Sequence, residues 1–374
     1  MPRTRSWPIR RLRRLTLLGV MGCSGLLAVT LAAPALAQTT QPTWTITPGP
    51  TSGYGLLSDV FAVSPANAWA VGAQAGGGTG RDNQLIEHWN GRQWQVAAVP
   101  PVSQFSTRLL SVSGTSATDI WAVGDQQSSD TGPYPPEVTL IMHWNGVSWT
   151  RVPSPNPGAF VNRLEFVKPF GHSDVWASGF FQNADGLSSS DLLLHWNGAS
   201  WSQVATPDPA LQVAGGTSGS DVWFTGSTSL WHFNGTTFTP VPGPVSHTIV
   251  AISPTDAWGL STVNGADALN HWNGTTWTTV TTLPASDQLS GLAALSATDV
   301  WAVGAMNLPD YSEVTLTMRW NGTIWTTVPS PNPSPGFLPA LTAAATAAPS
   351  TVLAVGIGSG ASGNQTLAMV TNNG

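Results

Sequence analysis

The chain has 374 residues and a formal net charge of −6; only 9% of its residues are charged, whereas 41% are hydrophobic and 19 are tryptophan. So many large apolar side chains indicate a packed core and argue against a disordered chain. Its single cysteine, Cys23, lies in an N-terminal processing segment, so the rest of the chain cannot form disulfides or thiolate metal sites.

Residues 1–37 have the pattern of a signal peptide. Six arginines lie within residues 1–14, an apolar run follows from Leu15, and residues 35–37 read Ala-Leu-Ala, a cleavage motif. The apolar run is also long enough to span a bilayer, so a retained anchor is the alternative. We expect cleavage before Gln38, because Pro34 and small residues precede it, and therefore a secreted protein without a membrane span.

The mature chain, residues 38–374, keeps 7 of the 13 basic residues and all 19 acidic ones, which gives a formal charge of −12. Nucleic-acid binding needs clustered positive charge, and the seven basic residues are scattered. Nucleic acid is therefore excluded as a partner.

The mature chain repeats one unit seven times. Each unit has an apolar strand, a W-A-V-G strand, a variable loop, and a closing H-W-N-G-x-x-W hairpin. The first residue of W-A-V-G recurs at 35- to 55-residue intervals, which is the range of four-stranded propeller blades. It falls at Trp69, Trp121, Trp176, Trp223, Trp258, Trp301 and Leu353. Asn-Gly between alternating apolar residues predicts a two-residue type I′ turn in each closing hairpin.

The last unit lacks its fourth strand, since the chain ends at Asn372-Asn373-Gly374. The mature N-terminus, in contrast, begins with a fourth strand that has no blade before it: Thr43-Trp44-Thr45 matches Ser148-Trp149-Thr150. Pairing these two ends removes the exposed edges of an open ring. We predict an all-β, seven-bladed β-propeller of four-stranded antiparallel blades, closed by residues 43–48 against the last blade.

Most aromatic residues occupy repeat positions and are predicted to be structural. All tryptophans of the mature chain except Trp231 fall at three positions of the unit, and a side chain present in every blade is expected in the core. Five histidines share another repeat position: His88, His143, His195, His232 and His271. Histidines on separate blades lie too far apart to share a metal, so we predict no metal site and no cofactor.

These W-A-V-G and W-N-G-x-x-W units resemble tectonin repeats and, more loosely, kelch-type propellers of secreted bacterial proteins. Several tectonin-like proteins are lectins, so the resemblance implies carbohydrate binding. Most blades here are longer than the compact tectonin unit, and their extra loops carry no family motif. No ligand-binding residue is therefore transferred from the family.

The loops between the second and third strands vary most in length, and insertions collected on one propeller face commonly mark the binding face. They are longest in blades two, three and six, over residues 124–140, 179–192 and 304–316. Arg108 and Arg163 occupy equivalent positions at the start of inner strands, with Gln288 in the matching place across the channel mouth. We predict that the two arginines orient a ligand through forked hydrogen bonds and that Tyr134 and Tyr311 offer aromatic faces.

Three loop carboxylates, Asp130, Asp185 and Asp310, are predicted to accept hydroxyl hydrogen bonds or to hold a loosely bound cation. Glu165 is expected to separate the charges of the two arginines. Two alternatives stay open: the loops are only solvated, or a complete Arg163–Glu165 pairing makes the arginines a structural lining of the channel.

These patterns favour a monomeric, non-catalytic binding module for glycans, with a protein–protein scaffold at the cell surface as the alternative. A propeller glycoside hydrolase or lyase ranks below both. The mature chain lacks the cysteine of copper radical oxidases and a Ser/His/Asp order that would indicate hydrolysis, and most of its arginines are misplaced for a sialidase triad.

Overall fold

The computed structural model describes residues 42–47, 49–50, 55–75, 81–100, 104–129, 136–333, 338–347, 349–360 and 363–372. The predicted signal peptide lies outside this part of the chain. The described residues form 28 strands, and none of them belongs to a helix long and apolar enough to cross a membrane.

The strands form seven four-stranded sheets, each antiparallel throughout. The first strand is β1 (Thr43–Ile46). Blade one contains β2 (Gly55–Ser64), β3 (Asn67–Ala75), β4 (Asp82–Trp89) and β5 (Trp94–Val96). Blade two contains β6 (Thr107–Ser116), β7 (Asp119–Gln127), β8 (Glu137–Trp144) and β9 (Trp149–Arg151). Blade three contains β10 (Asn162–Gly171), β11 (Asp174–Gln182), β12 (Ser189–Trp196) and β13 (Trp201–Gln203).

Blade four contains β14 (Gln212–Ser218), β15 (Asp221–Thr225), β16 (Leu230–Phe233) and β17 (Phe238–Val241). Blade five contains β18 (Ser246–Ser253), β19 (Asp256–Val263), β20 (Ala266–Trp272) and β21 (Trp277–Thr282). Blade six contains β22 (Asp287–Ser296), β23 (Asp299–Asn307), β24 (Glu313–Trp320) and β25 (Trp325–Thr327). Blade seven contains β26 (Leu338–Ala347), β27 (Thr351–Gly360) and β28 (Gly363–Asn372), and β1 is its fourth strand.

The predicted closure is confirmed. β1 pairs antiparallel with β28, with Thr43 opposite Asn372 and Ile46 opposite Met369. Trp44 is 6% exposed and packs edge-on against Trp301 of blade six, with ring centroids 5.4 Å apart. The N-terminal strand therefore both completes blade seven and fills its interface with the neighbouring blade.

The core consists of seven separate clusters, one between each pair of adjacent blades. In blade one, Trp69 and Val71 face blade two, whereas Ala68 and Ala70 face blade seven. Side chains alternate between the two faces of a strand, so W-A-V-G places its large residues on one face and its small ones on the other. This packing repeats around the ring and includes the contact between blades seven and one.

The glycine of W-A-V-G is required by a β-bulge in the inner strand. The register between β6 and β7 shifts between Leu109 and Ser111, which brings a backbone carbonyl toward Gly124. A Cβ on Gly124 would lie 2.0 Å from the carbonyl oxygen of Arg108. Glycine is the residue that tolerates so close a backbone approach. The same contact recurs at Gly72, Gly179, Gly304 and Gly356.

The closing hairpins differ from the predicted two-residue turns. Trp89 pairs directly with Trp94, so four residues connect β4 to β5, and only the glycine of this Asn-Gly-x-x loop has a positive φ, 89° at Gly91. The Asn90 side chain explains the difference, because its Oδ1 accepts hydrogen bonds from the backbone N–H groups of Arg92 and Gln93 and so stabilises the longer loop.

The loops between second and third strands are shorter than predicted, because both strands continue beyond the repeat motif. In blade two, β7 extends to Gln127 and β8 begins at Glu137, and in blade three only residues 183–188 separate β11 from β12. These extensions carry charged side chains to the end of the channel where the inner strands begin.

Candidate functional site

Arg108 and Arg163 are neighbours at the channel mouth, as the repeat register predicted, and they share two carboxylates. Arg108 Nη2 lies 2.9 Å from Asp125 Oδ2 and 3.5 Å from Glu137 Oε1. Arg163 donates from Nε to Asp125 Oδ1 at 3.0 Å and from Nη2 to Glu137 Oε2 at 2.8 Å. We call these four side chains the charge cluster. Two positive and two negative charges balance within it.

The strand extensions of blade two position this cluster. Asp125 stands directly opposite Arg108 in the β6–β7 pair, and Glu137 begins β8. Arg163 comes from β10 of blade three, and its guanidinium also lies over the ring of Phe180, 5.4 Å from the centroid. The cluster therefore ties two blades together at the channel mouth.

The predicted role of Glu165 is wrong. Glu165 accepts a hydrogen bond from Gln212 of blade four at 3.3 Å, whereas Arg163 pairs with Asp125 and Glu137 of blade two. The prediction assumed that residues two apart on one strand face the same way. The carboxylates that reach Arg163 instead come from strands of the adjacent blade. The alternative that the arginines are a structural lining of the channel nevertheless has support, because Nε and Nη2 of both arginines donate to carboxylates within the cluster.

Arg108 resembles Arg163 in its hydrogen bonds, since each donates from Nε and Nη2, and differs from it in lining a cavity. Its Nε and Nη2 donate within the cluster, but Nη1 donates to no acceptor among the described residues. Burial lowers the pKa of the Arg108 guanidinium, and the charges of Asp125 and Glu137 raise it by more, so the net shift is upward. Arg108 is therefore a permanent cation with free donors at the surface.

A cavity of about 390 Å³ adjoins Arg108 on the side toward blades one and seven. Its polar lining comprises Arg108, Asp82, Ser58 and Asn364, and its apolar lining includes Leu56. The cavity combines a cation, an anion and alkyl surface in one place. Neither Arg163 nor Tyr311 lines it.

The other predicted site residues that the structure describes do not converge on this cavity. Gln288 is exposed and occupies the equivalent inner-strand position in blade six. Asp185 and Asp310 accept hydrogen bonds inside their own turns, from the backbone N–H groups of Ser188 and Ser312 respectively. Tyr311, with a φ of 65°, is 94% exposed beside Asp310.

Two further predicted residues, Asp130 and Tyr134, lie outside the described residues. The structure therefore brings together Arg108 and Arg163 of the predicted site. The hydrogen bonds of Asp185 and Asp310 give these carboxylates a structural role in shaping loops.

Asp125 and Glu137 were not among the predicted ligand-binding residues, although one signal was present. The residue after the W-A-V-G glycine is apolar in blades one, three and six, at Ala73, Phe180 and Ala305, and only Asp125 is charged among them. The side chain of Asp125 is 3% exposed. A buried charge at a position that is otherwise apolar indicates a partner.

A second groove of about 430 Å³ lies at blade three and the connection to blade four, and Asp191 and Asp208 line it. Burial, and then the negative charges of Asp208 and Glu165, raise the pKa of Asp191 to about 7. Asp208 is held by the backbone N–H groups of Ala210 and Ser227. Asp191 Oδ2 is buried and finds no hydrogen-bond partner among the described residues.

The repeated histidines have a structural explanation. In each of five blades the histidine Nε2 lies 2.7–2.9 Å from the side-chain oxygen that begins the second strand. Each ring also contacts the repeat tryptophan, as in the stacked pair Trp121–His143 with centroids 4.1 Å apart. In blade six Arg319 and Asp299 take the same positions and form a bidentate ion pair. The partner is Asn67 in blade one and an aspartate in the other four, so these pairs belong to the repeat and do not mark one active site.

Comparison with known proteins identifies the fold and no family. No family model and no curated protein matches the chain. Among solved structures, a chain described as YCF48 bound to D1 peptide has a TM-score of 0.55 at 14% identity, covering 88% of this chain and 99% of that one. YCF48 from Cyanidioschyzon merolae has a TM-score of 0.53 at 15% identity, with 88% and 98% covered.

A protein of unknown function from Dyadobacter fermentans has a TM-score of 0.51 at 9% identity, with 90% and 98% covered. Identities this low establish a shared architecture only. The chain is a seven-bladed β-propeller of the architecture seen in these structures.

Proposed function

We propose that this protein is a non-catalytic binding module that recognises a peptide segment of a protein partner at the cavity beside Arg108. The observation that carries the proposal is the mixed lining of that cavity: the free Nη1 of Arg108, the carboxylate of Asp82 and the exposed alkyl surface of Leu56. A peptide offers carbonyl or carboxylate oxygens for the guanidinium, N–H groups for the carboxylate and apolar side chains for the rest.

The charge cluster supports this proposal because it holds Arg108 in place. Asp125 and Glu137 fix one edge of the guanidinium, so the opposite edge is pre-positioned for a ligand and loses little conformational entropy on binding. The structurally similar YCF48 chain was solved with a D1 peptide, which is consistent with a peptide ligand on a propeller of this architecture.

The test is panning of the protein against a random peptide display library, followed by affinity measurements on the selected peptides. Arg108→Ala should weaken binding by ~10-fold or more, because a hydrogen bond to a charged group contributes about 1.5–3 kcal/mol. Arg92→Ala is the matched control, since it removes an exposed arginine that neither lines the cavity nor belongs to the charge cluster. Equal loss in both variants, or no selected peptide, would refute the proposal.

A glycan ligand is the second candidate, and the observation that favours it is Tyr311. Its ring is 94% exposed at the tip of a turn that Asp310 braces through Ser312. Exposed aromatic faces stack on sugar rings, and the resemblance of the repeats to tectonin units, several of which occur in lectins, points the same way. Binding on a glycan array that is lost in Tyr311→Ala, while peptide binding is unchanged, would establish this candidate.

We also propose that the protein is secreted after cleavage before Gln38. The support is the arginine-rich start, apolar run and Ala-Leu-Ala motif of residues 1–37. N-terminal sequencing of the protein from culture medium should begin at Gln38. Recovery of the full-length chain from the membrane fraction would instead identify a retained anchor.

A further inference from the structure

Lys168 is the only lysine in the 374 residues of the chain, and it lies in the central channel. The channel has a cavity of about 270 Å³ lined by inner strands of six blades. Lys168 extends from β10, the inner strand of blade three. A residue type used once in a chain, at a position facing a cavity, is a candidate for a specific contact.

The surroundings of Lys168 are mostly apolar. Val60, Phe61, Val112, Val250 and Leu292 line the same cavity. Among the described residues Lys168 forms no ion pair and no hydrogen bond, and burial lowers the pKa of its amine despite the attraction of Asp59. The half-buried ammonium of Lys168 therefore has no close counter-charge among the described residues.

Asp59 is the one carboxylate that the described part of the chain contributes to this cavity, and its oxygens are already engaged. Its Oδ2 accepts hydrogen bonds from Ser111 Oγ at 2.8 Å and from the Val112 N–H at 2.9 Å. Its Oδ1 accepts from the Val60 N–H at 2.8 Å. Asp59 therefore connects blades one and two and leaves the amine of Lys168 without a direct partner.

We propose that the central channel is a second binding site, for a small aliphatic carboxylate whose charged end pairs with Lys168 and whose alkyl chain contacts the apolar lining. The ligand supplies the counter-charge that the described residues do not. The cavity is somewhat smaller than the ~300 Å³ at which ligand pockets commonly begin, so the ligand is small. The site is distinct from the cavity beside Arg108, and the proposal does not depend on the peptide function.

The experiment is isothermal titration of the protein with hexanoate at pH 7.5 and low salt, with hexan-1-ol as the uncharged analogue. Hexanoate should bind ~10-fold or more tightly than the alcohol, because a charge-assisted hydrogen bond is available only to the carboxylate. Lys168→Met should abolish this preference. Arg151→Met is the matched control, since it removes one positive charge from an exposed outer strand and should leave the preference unchanged.

Two more variants keep the proposal falsifiable if Lys168→Met fails to fold. Lys168→Arg retains the charge and should keep a preference for hexanoate over the alcohol. Asp59→Asn removes the competing negative charge and should tighten hexanoate binding, whereas a purely structural Lys168–Asp59 attraction predicts no tightening. Absence of hexanoate binding, equal affinity for acid and alcohol, or a preference for hexanoate that survives in Lys168→Met would each overturn the proposal.

Discussion

Glu87 of blade one is fully buried, and neither carboxylate oxygen has a hydrogen-bond partner among the described residues. It lies on β4 between Leu85 and Trp89, which face the cluster shared by blades one and seven. Burial raises the pKa of its carboxyl from 4.5 to about 7. Blades two and seven place an apolar side chain here: Met142 and Met369 stand in the same register, and both are fully buried.

Replacing Glu87 with Met should therefore stabilise the protein, and the gain should depend on pH. Below pH 4.5 the carboxyl is protonated in both the folded and the unfolded chain, so its contribution to the unfolding free energy does not change with pH. Between pH 4.5 and 7 the unfolded chain releases this proton while the folded chain keeps it, so the contribution of Glu87 to the stability of the wild type falls as the pH rises. A pKa difference of about 2.5 units corresponds to a loss of about 3 kcal/mol above pH 7.

The measurement is urea unfolding followed by tryptophan fluorescence at a series of pH values from 4 to 8. The difference in unfolding free energy between Glu87→Met and wild type should grow by about 3 kcal/mol across this range, since all other titrating groups are common to both proteins. Met142→Glu is the reciprocal control, because it places a carboxyl at the equivalent buried position of blade two. Its unfolding free energy should fall with rising pH in the same way. Parallel stability profiles for wild type and Glu87→Met would refute the reasoning.

Three further predictions test the closure, the bulge and the charge cluster. Deleting residues 38–50 should lower the unfolding free energy by several kcal/mol, measured by urea titration, because it removes the edge strand of blade seven; a variant that unfolds at the wild-type midpoint would contradict the closure. Gly124→Ala should lower the thermal midpoint through its clash with the Arg108 carbonyl, whereas Gly171→Ala, where a Cβ would meet nothing within 4 Å, should not; equal midpoints would show that the bulge does not require glycine. Asp125→Asn should cost about 3–5 kcal/mol in urea unfolding because it breaks a buried ion pair, and Glu137→Gln should cost less since that side chain is more exposed; the reverse order would contradict the assigned burial.

The peptide and glycan proposals make opposite demands on two side chains. Arg108 lines the cavity and Tyr311 stands away from it, so a peptide ligand depends on the first and a glycan on the second. Measuring both ligands against both alanine variants distinguishes the two functions in one experiment. Loss of peptide binding, or of glycan binding, in both variants would indicate one larger binding surface that includes both Arg108 and Tyr311.

The repeat alone determined the architecture. Alternation in W-A-V-G, the recurring Asn-Gly hairpins and the unmatched strand at Trp44 predicted seven blades and the closure that β1 makes with β28. These features are local and occur many times, so each copy supports the others. The five repeated histidines were predicted to have a structural role for the same reason, because they occupy one position of the repeat.

Tertiary structure decided which charges meet. Arg163 pairs with Glu137, 26 residues earlier and in another blade, although Glu165 is closer in sequence. Such a contact depends on how far strands extend beyond the motif and how adjacent blades are staggered, which no local pattern specifies. The four-residue hairpins likewise reflect side-chain capping by asparagine that outweighs the usual preference of Asn-Gly.

The same limit applies to Glu87 and Lys168. Both are single departures from a repeat, so periodicity gives no second copy from which to infer their role. Only the packing of blade one against blade seven shows that Glu87 is buried without a partner, and only closure of the ring places Lys168 in a channel. Burial and the absence of a counter-charge are properties of the assembled ring, which is why they emerge from the tertiary structure and not from the sequence.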